Sequence, residues 1–499
     1  MATPSLRSAR RWTLVATILG SSMTFIDGTV VNVALPALQA DLQATIADIQ
    51  WVIEAYALLL GTLILAGGSL GDQFGRRRVF LLGMAVFTLA SIGCGLAGST
   101  RLLIAARAIQ GGGAAFLVPG SLAIISATFE DADRGRAIGT WSGFSSIAAA
   151  IGPVVGGWLI EHVSWRAVFF LNVPLAVIVF ALSVRFMPET RDASRGFRVD
   201  YPGTALAVLG LGALVYALLE YARLSTTAVA ALSGGGVLAL VALVLVERTT
   251  ADPMLPLELF ASRTFALANA LTLLLYAALN AVFWLVPLNL IQVQRYSATA
   301  AGAALLPFSL LMLLLSRWSG GLTDRVGSRL PLTVGPIVAA VGLLLFTRLG
   351  NGGSYWTTVL PAVTVLGLGM AGVVAPLTTT VMNAVPAQHA GVASGVNNAV
   401  SRVAGLIAVA VFGLVLVRVF DARAERALDR LELTVAARAA IDRELPKLAG
   451  AEIDASVGDR QQRAARDAID RSFSAAFGVV MIAAAAVALG AAAMGAMIR

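Results

Sequence analysis

Lysine, cysteine and histidine are almost absent from this chain, and charge of either sign is scarce for its length. Of 499 residues only Cys94 is a cysteine, so no disulfide can close within the chain and a cysteine-based metal site is disfavoured. The two histidines, His162 and His389, fall far apart in separate loops, which argues against zinc or haem. The single lysine, Lys447, follows Leu445-Pro446 instead of a glycine-rich loop. A Walker-type nucleotide site needs lysine after G-x-x-x-x-G, so no ATP is hydrolysed here that way. Paired catalytic carboxylates and H-E-x-x-H are also missing, which argues against an intramembrane enzyme. No metal and no cofactor is implied.

What is present is apolar. Hydrophobic residues make up 58% and charged ones 13%, and the mean hydropathy is +0.83. Soluble domains carry about 25% charged residues to cover their surface. The apolar residues come in blocks of about 20, the length a helix needs to cross a hydrocarbon core about 30 Å thick. The pI of about 10.3 does not signal nucleic acid, because the arginines cluster at block ends and form no stripe with aromatics.

Fourteen spans are expected, at 12–35, 51–71, 79–98, 102–128, 137–160, 166–187, 202–222, 228–246, 265–290, 301–322, 331–348, 356–381, 391–417 and 473–497. Arg10-Arg11 before an apolar run mimics a signal peptide. The run is too long for one and carries Asp27, so it reads as a retained first helix. An even number of spans puts both termini on one side. With the N-terminus inside, the inner loops and tails hold seventeen basic residues and the short outer loops five, which is the positive-inside pattern. Both termini are therefore expected in the cytoplasm. Segment 418–472 dissents with eleven basic residues, but it carries eleven acidic ones too, and long loops translocate largely regardless of charge. Its alternation of Ala/Leu with Arg/Asp/Glu predicts one or two amphipathic surface helices outside the membrane.

An internal repeat follows. Gly68-x-x-x-Asp72-x-x-Gly75-Arg76-Arg77 comes after the second span, and Gly320-x-x-x-Asp324-Arg325-x-Gly327-Ser328-Arg329 comes after the tenth, 252 residues later. A directly repeated six-span unit would give an offset of six spans, so two extra helices sit between the halves. The expected domains are an N-terminal six-helix bundle at 12–187, two inserted helices at 202–246 and a C-terminal bundle at 265–497 that includes an extracytoplasmic loop at 418–472. Transporters are commonly built from such repeats, with substrate bound between them. Asp72 with its neighbouring arginines can form a contact made in one state and broken in another, a gating latch; an ordinary topology-fixing charged loop is the alternative.

The paired loop motif resembles the signature of the major facilitator superfamily, and four further segments resemble its fourteen-span drug:proton antiporter branch. The first span reads Asp27-Gly28-Thr29-Val30-Val31-Asn32-Val33-Ala34-Leu35-Pro36, similar to D-x-T-V-V-N-V-A-L-P. The fourth carries Arg107-Ala108-Ile109-Gln110-Gly111-Gly112-Gly113-Ala114-Ala115, similar to R-x-x-Q-G-x-G-A-A. The fifth carries Gly152-Pro153-Val154-Val155-Gly156-Gly157, similar to the antiporter motif G-x-x-x-G-P-x-x-G-G with Ala148 replacing its first glycine. The sixth opens with Trp165-Arg166 and continues Phe169-Phe170-Leu171-Asn172-Val173-Pro174, also typical. The resemblance implies an all-α integral membrane protein with the major facilitator fold, two six-helix bundles plus two extra helices.

Ionisable groups inside a bilayer cost about 2.5–3.5 kcal/mol each even on the lenient insertion scale, so each needs a reason. At 1.5 Å per residue Asp27 lies roughly 13 Å below the outer boundary, Glu54 roughly 5 Å and Arg107 roughly 8 Å. All three fall in the outer half of the N-terminal bundle. Asp27 is the expected proton carrier: desolvation favours its neutral acid and a nearby arginine favours its carboxylate. Arg107 supplies that charge, as the resemblance also implies, and Glu54 is a second proton site or a cation anchor. Gly152-Pro153 should bend the fifth helix, and Gly156-Gly157 permits close packing that seals the outward side against proton leak. Substrate surface is sought in the C-terminal half at Asn280, Trp284, Asn398 and Arg402, with Asn269, Tyr276, Asn289, Gln292 and Asn397 as further polar positions; polar residues at helical spacing more often glue helices together.

The resulting expectation is a proton-coupled antiporter exporting small amphipathic compounds from the bacterial cytoplasmic (inner) membrane, where arginine- and alanine-rich usage fits a GC-rich bacterial genome. A lipid or lysolipid flippase on the same scaffold and a non-transporting membrane receptor are the alternatives. The expected partners are the lipid bilayer, protons and a small-molecule substrate, and a periplasmic adaptor stays open.

Overall fold

A computed structural model describes residues 6–129, 131–191, 200–221, 223–250, 253, 257–320, 326–350, 353–386, 390–431, 433–453 and 458–498. Each of the fourteen expected spans corresponds to a helical stretch long and apolar enough to cross a membrane. The N-terminal half holds α1 (Leu6–Leu42), α2 (Ile46–Phe74), α3 (Arg76–Gly95), α4 (Thr100–Thr128), α5 (Asp131–His162) and α6 (Ala167–Phe186, interrupted at Leu171). Two further helices follow, α7 (Tyr201–Leu219) and α8 (Thr226–Thr249). Then come α9 (Arg263–Gln292), α10 (Ala298–Ala304 running into Leu306–Gly320), α11 (Arg329–Phe346), α12 (Val359–Asn383), α13 (Ala390–Leu428), the short α14 (Val435–Glu444) and α15 (Asp459–Met497).

Helix starts are written locally. Ser99, Ser225, Ser262 and Ser297 each accept a backbone N–H at the N-terminus of α4, α8, α9 and α10, satisfying donors that the helix itself leaves open. Thr45 and Asp48 form a reciprocal capping box at α2.

Several ends differ from the hydropathy reading. α1 was expected to stop before Pro36, yet it runs through that proline to Leu42. One missing backbone donor kinks a helix without ending it, and in lipid the helix remains the only way to satisfy the other groups. The thirteenth and fourteenth spans, expected at 391–417 and 473–497, continue as Ala390–Leu428 and Asp459–Met497. Hydropathy marks only the part in lipid; the charged extra turns project beyond it. Loop 418–472 therefore shrinks to a cap made of α14 and a 3-10 turn, Leu445–Gly450. In that cap burial works against the Glu444 carboxylate, but Lys447 and the Glu452 N–H hold it below its ordinary range.

Within the N-terminal half, α4 packs on α2 and α3, and α1 on α5, α6 and α4. In the C-terminal half α11 packs on α12 and α15, α9 on α15 and α13, and α10 on α12. α7 leans on α2 and α13, whereas α8 packs mainly on α7 and exposes Leu238, Val241 and Leu245. The halves meet along α5–α10, α2–α13 and α1–α9.

The α2–α4 contact depends on glycine. A Cβ on Gly111 would collide with the Tyr56 carbonyl of α2, whereas one on Gly112 would find only the Leu63 side chain at 3.8 Å. Gly111→Val is expected to destabilise the protein by about 1–3 kcal/mol, the usual cost of overpacking, and Gly112→Ala to be near neutral. Thermal unfolding of the two variants in detergent, side by side, checks this; equal melting would refute the packing claim.

Candidate functional site

Asp27 on α1 is fully buried, and its partners come from two other helices. Its Oδ2 accepts from Arg107 Nη1 of α4 at 2.5 Å. Its Oδ1 accepts from Gln110 Nε2 of α4 at 2.8 Å and from Asn172 Nδ2 of α6 at 3.3 Å. Ser91 on α3 ties the amides together: its Oγ accepts from Gln110 at 3.2 Å and Asn172 at 2.9 Å, and donates to the Phe169 carbonyl at 2.9 Å. Both carboxylate oxygens are thus occupied by donors.

Arg107 is as firmly held. Its Nε donates to the Val52 carbonyl at 3.1 Å and its Nη1 also to Gln110 Oε1 at 2.8 Å. The guanidinium lies 4.1 Å from the centroid of the Tyr56 ring, where the ring face attracts a cation. Removing one member of such a buried pair costs about 3–5 kcal/mol, because the other charge is left without compensation.

Gln110, Asn172, Ser91 and Tyr56 were not singled out from sequence, although the first two stand inside the motifs that carried the family resemblance. A polar residue in an apolar helix gives no sign of the face it occupies. Only the Asp27 carboxyl could have pointed to them, since a buried carboxylate needs donors.

Glu54 does not join the cluster. It is fully buried, and neither carboxyl oxygen has a hydrogen-bond partner among the described residues. One turn away, Gln50 of the same helix donates to the Val409 carbonyl of α13 at 3.2 Å, so this stretch of α2 runs along the seam between the halves.

α5 makes two contacts through its glycine-rich face. A Cβ on Gly152 would strike the Thr29 hydroxyl and one on Gly156 the Val30 side chain, so this face of α5 lies directly on α1. A Cβ on Gly157 would collide with the Ala298 carbonyl of α10, and one on Gly302 with the Pro153 carbonyl. The opposite halves therefore touch backbone to backbone. Thr299 Oγ1 adds a 2.6 Å bond to Glu161. At the same end of the molecule Gln292 Nε2 donates to Gln39 Oε1 at 2.7 Å, and Gln39 Nε2 to the Lys447 carbonyl at 2.9 Å. Gly302, Gln39 and Lys447 carried no sequence signal, because a lone glycine in an Ala-rich run and amides near a helix end are commonplace.

At the opposite end, Gly75 sits at φ 106° and Gly327 at φ 74°, backbone that favours glycine. Gly68 of the same loop motif approaches Pro119 of α4, a Cβ there standing 3.8 Å from the proline ring. The Arg76 N–H donates to the Thr190 carbonyl at 2.9 Å, and Arg77 donates through its backbone N–H to Glu189 at 3.1 Å and through Nη1 to the Met187 carbonyl at 3.1 Å. This loop is thus bound to the segment after α6 in its own half. The Asp72 side chain, Asp324 and Arg325 lie outside the described residues.

The expected substrate positions divide. Arg402 on α13 is half-buried, crosses α2 at Gly61, and lies within electrostatic reach of Tyr56 and Tyr276. Asn280 bonds back to the Tyr276 carbonyl at 2.8 Å and packs against Gly405; Asn398 is exposed and bonds back to Ser394 at 3.1 Å. Trp284 packs among apolar neighbours. It is 1% exposed within the apolar core. Asn397 holds Asn269 at 3.1 Å and Thr272 at 2.7 Å, joining α13 to α9.

Comparison with known proteins agrees with this architecture. A multidrug resistance protein, Stp, of Mycobacterium tuberculosis is 36% identical over 421 residues, 84% of this chain and 78% of its own. A puromycin resistance protein of Streptomyces alboniger is 37% identical, covering 81% of this chain and 82% of its own. Among solved structures, a bacterial homologue of the human lysosomal transporter Spinster, crystallised inward-facing, shares the fold with a TM-score of 0.67 at 17% identity, covering 98% of each chain. The model of the Major Facilitator Superfamily matches residues 17–409. With that match over most of its length, the chain belongs to the Major Facilitator Superfamily of membrane transporters.

Proposed function

We propose that this protein is a proton-driven antiporter that exports small amphipathic compounds across the bacterial cytoplasmic membrane, with both termini in the cytoplasm. The working parts are the two six-helix bundles at 12–187 and 265–497, with α7 and α8 as an inserted pair. The observation that carries the reading is the buried Asp27–Arg107 pair, held by Gln110 and Asn172, in the half whose α5 closes against α10. Relatives named for puromycin resistance and for tetracenomycin C resistance and export support the direction and class of cargo.

In this account the structure is the inward-open state. The α5–α10 seam and the Gln39–Gln292 bond close the outer end, so cargo enters from the cytoplasm while Asp27 is charged and locked to Arg107. Opening outward exposes Asp27 to a more acidic solution. Its protonation releases Arg107, and the neutral acid returns inward to give up its proton. Gly75, Arg76 and Arg77, with Asp72, Asp324, Arg325 and Gly327, are proposed to gate the inner side. Arg402 and Asn398, with Asn280, are proposed to line the path of the cargo.

Glu54, a buried carboxyl without a donor among the described residues, is costly as an anion and is assigned a second proton. Glu54→Gln is expected to reduce the number of protons moved per cargo molecule while leaving exchange running. Simultaneous proton and cargo counting in vesicles measures this, and an unchanged ratio would remove Glu54 from coupling.

A further inference from the structure

A second chamber lies outside the Asp27 cluster, at the end of the molecule where α1 finishes. It encloses about 320 Å³ between the start of α2, the α7–α8 connection, α13 and the 3-10 turn, which is within the range of small-molecule pockets. Its walls are mostly aliphatic, including Ile46, Leu218, Leu414, Val417 and Leu448. Gln50, whose side chain bridges to Val409 and packs on Gly413, forms its floor at the α2–α13 seam.

The charges on its wall are unequal. Arg223 is engaged by Glu220 at 3.2 Å and also reaches the Thr45 hydroxyl at 3.4 Å. Asp442 is engaged by Arg438 at 2.8 Å. Asp421 is solvent-exposed at the chamber wall and has neither an ion pair nor a hydrogen bond among the described residues; Arg418, one turn before it and within electrostatic reach, stacks over Tyr221 at 4.5 Å. The N-terminus of α2 also opens here, but its partial positive charge is offset by Asp48 in the capping box. An apolar box with one uncommitted carboxylate suits an apolar cation.

We propose that this chamber is a second ligand site for amphipathic cations, with Asp421 as counter-charge and Gln50 as the partition between it and the central path. The inference rests on the export reading only for its role. Its walls come from α2 in one half and from α13 and the cap in the other, so the partition parts when the halves separate at this end. The chamber then receives cargo on its way out.

Binding of tetraphenylphosphonium to the purified full-length protein tests the site without transport. Two classes of sites are expected, one sensitive to Asp27→Asn and one to Asp421→Asn, the latter weakening about tenfold, equivalent to about 1.4 kcal/mol. Leu414→Trp, which fills the chamber without touching a charge, should remove the same class. Binding that neither variant changes, or no binding outside the Asp27-sensitive class, would overturn the proposal. An anionic probe, 1-anilinonaphthalene-8-sulfonate, competing at the Asp421-sensitive class would overturn the assignment to cations. Cargo-driven proton flux, measured separately, reports on the export reading, so the two can fail independently.

Discussion

Replacing Asp27 with asparagine is expected to cut cargo-driven proton flux about a hundredfold or more, while the protein still inserts and folds. The amide is nearly isosteric and can still accept from Gln110 and Asn172, but it carries no charge and exchanges no proton. Losing the pair strands Arg107 among Val52, Gln110 and the Tyr56 ring. At about 3 kcal/mol for an uncompensated buried charge, the effect on a state equilibrium is on the order of a hundredfold. Fluorescence of a pH dye in vesicles reads the flux. The matched variant Arg107→Gln should also fail, and the double variant should regain folding stability without regaining flux, because the stranded charge is gone but the carrier is still missing. Proton flux in Asp27→Asn equal to the native protein would remove this carboxyl from the mechanism.

The second large effect is expected at Gly302. Any side chain there meets the Pro153 carbonyl, so Gly302→Val must hold α5 and α10 apart. Overpacking costs about 1–3 kcal/mol, and each 1.4 kcal/mol shifts a two-state population about tenfold. The closed outer end should therefore lose occupancy about tenfold or more. Export is expected to fall by a similar factor, and vesicles without cargo should leak protons faster than those with native protein. Gly157→Val, against Ala298, should give the same result from the other helix. Gly234→Val on α8, where a Cβ meets nothing within 4 Å, is the control. A tight seal in both gate variants would mean that this seam does not close the path.

Much of the fold was legible because lipid imposes one requirement, a helix of apolar residues, and hydropathy reports it directly. That is why fourteen spans could be counted, and why two glycine-and-arginine loops eight spans apart revealed the repeat. Legibility stopped where the solvent changed. α13 and α15 run on to Leu428 and from Asp459 in alternating charged sequence, where hydropathy is silent. The Ala/Leu alternation with charge did predict helix within 418–472, but not that Lys447 and Leu448 of the cap insert above Gln39 and Gln292.

Within the site, Asp27 and Arg107 were visible because a charge in an apolar helix is costly and demands an explanation. Their uncharged partners were not, since serine, asparagine and glutamine are ordinary helix glue and their direction depends on packing. Trp284 shows the converse. An indole on a central helix resembles a binding surface in sequence, and the structure shows it buried among core side chains. Glu54 was placed near the pair by depth alone, and depth along a helix says nothing about which face it occupies.

The most direct measurement is made on the native protein, reconstituted in sealed vesicles that are loaded with an amphipathic cation and given an imposed pH gradient. Acid on the face equivalent to the cell exterior should drive cargo toward that acid, against its own concentration gradient, and dissipating the gradient with a protonophore should stop it. Cargo that merely equilibrates at the same rate with or without the pH gradient would contradict the account.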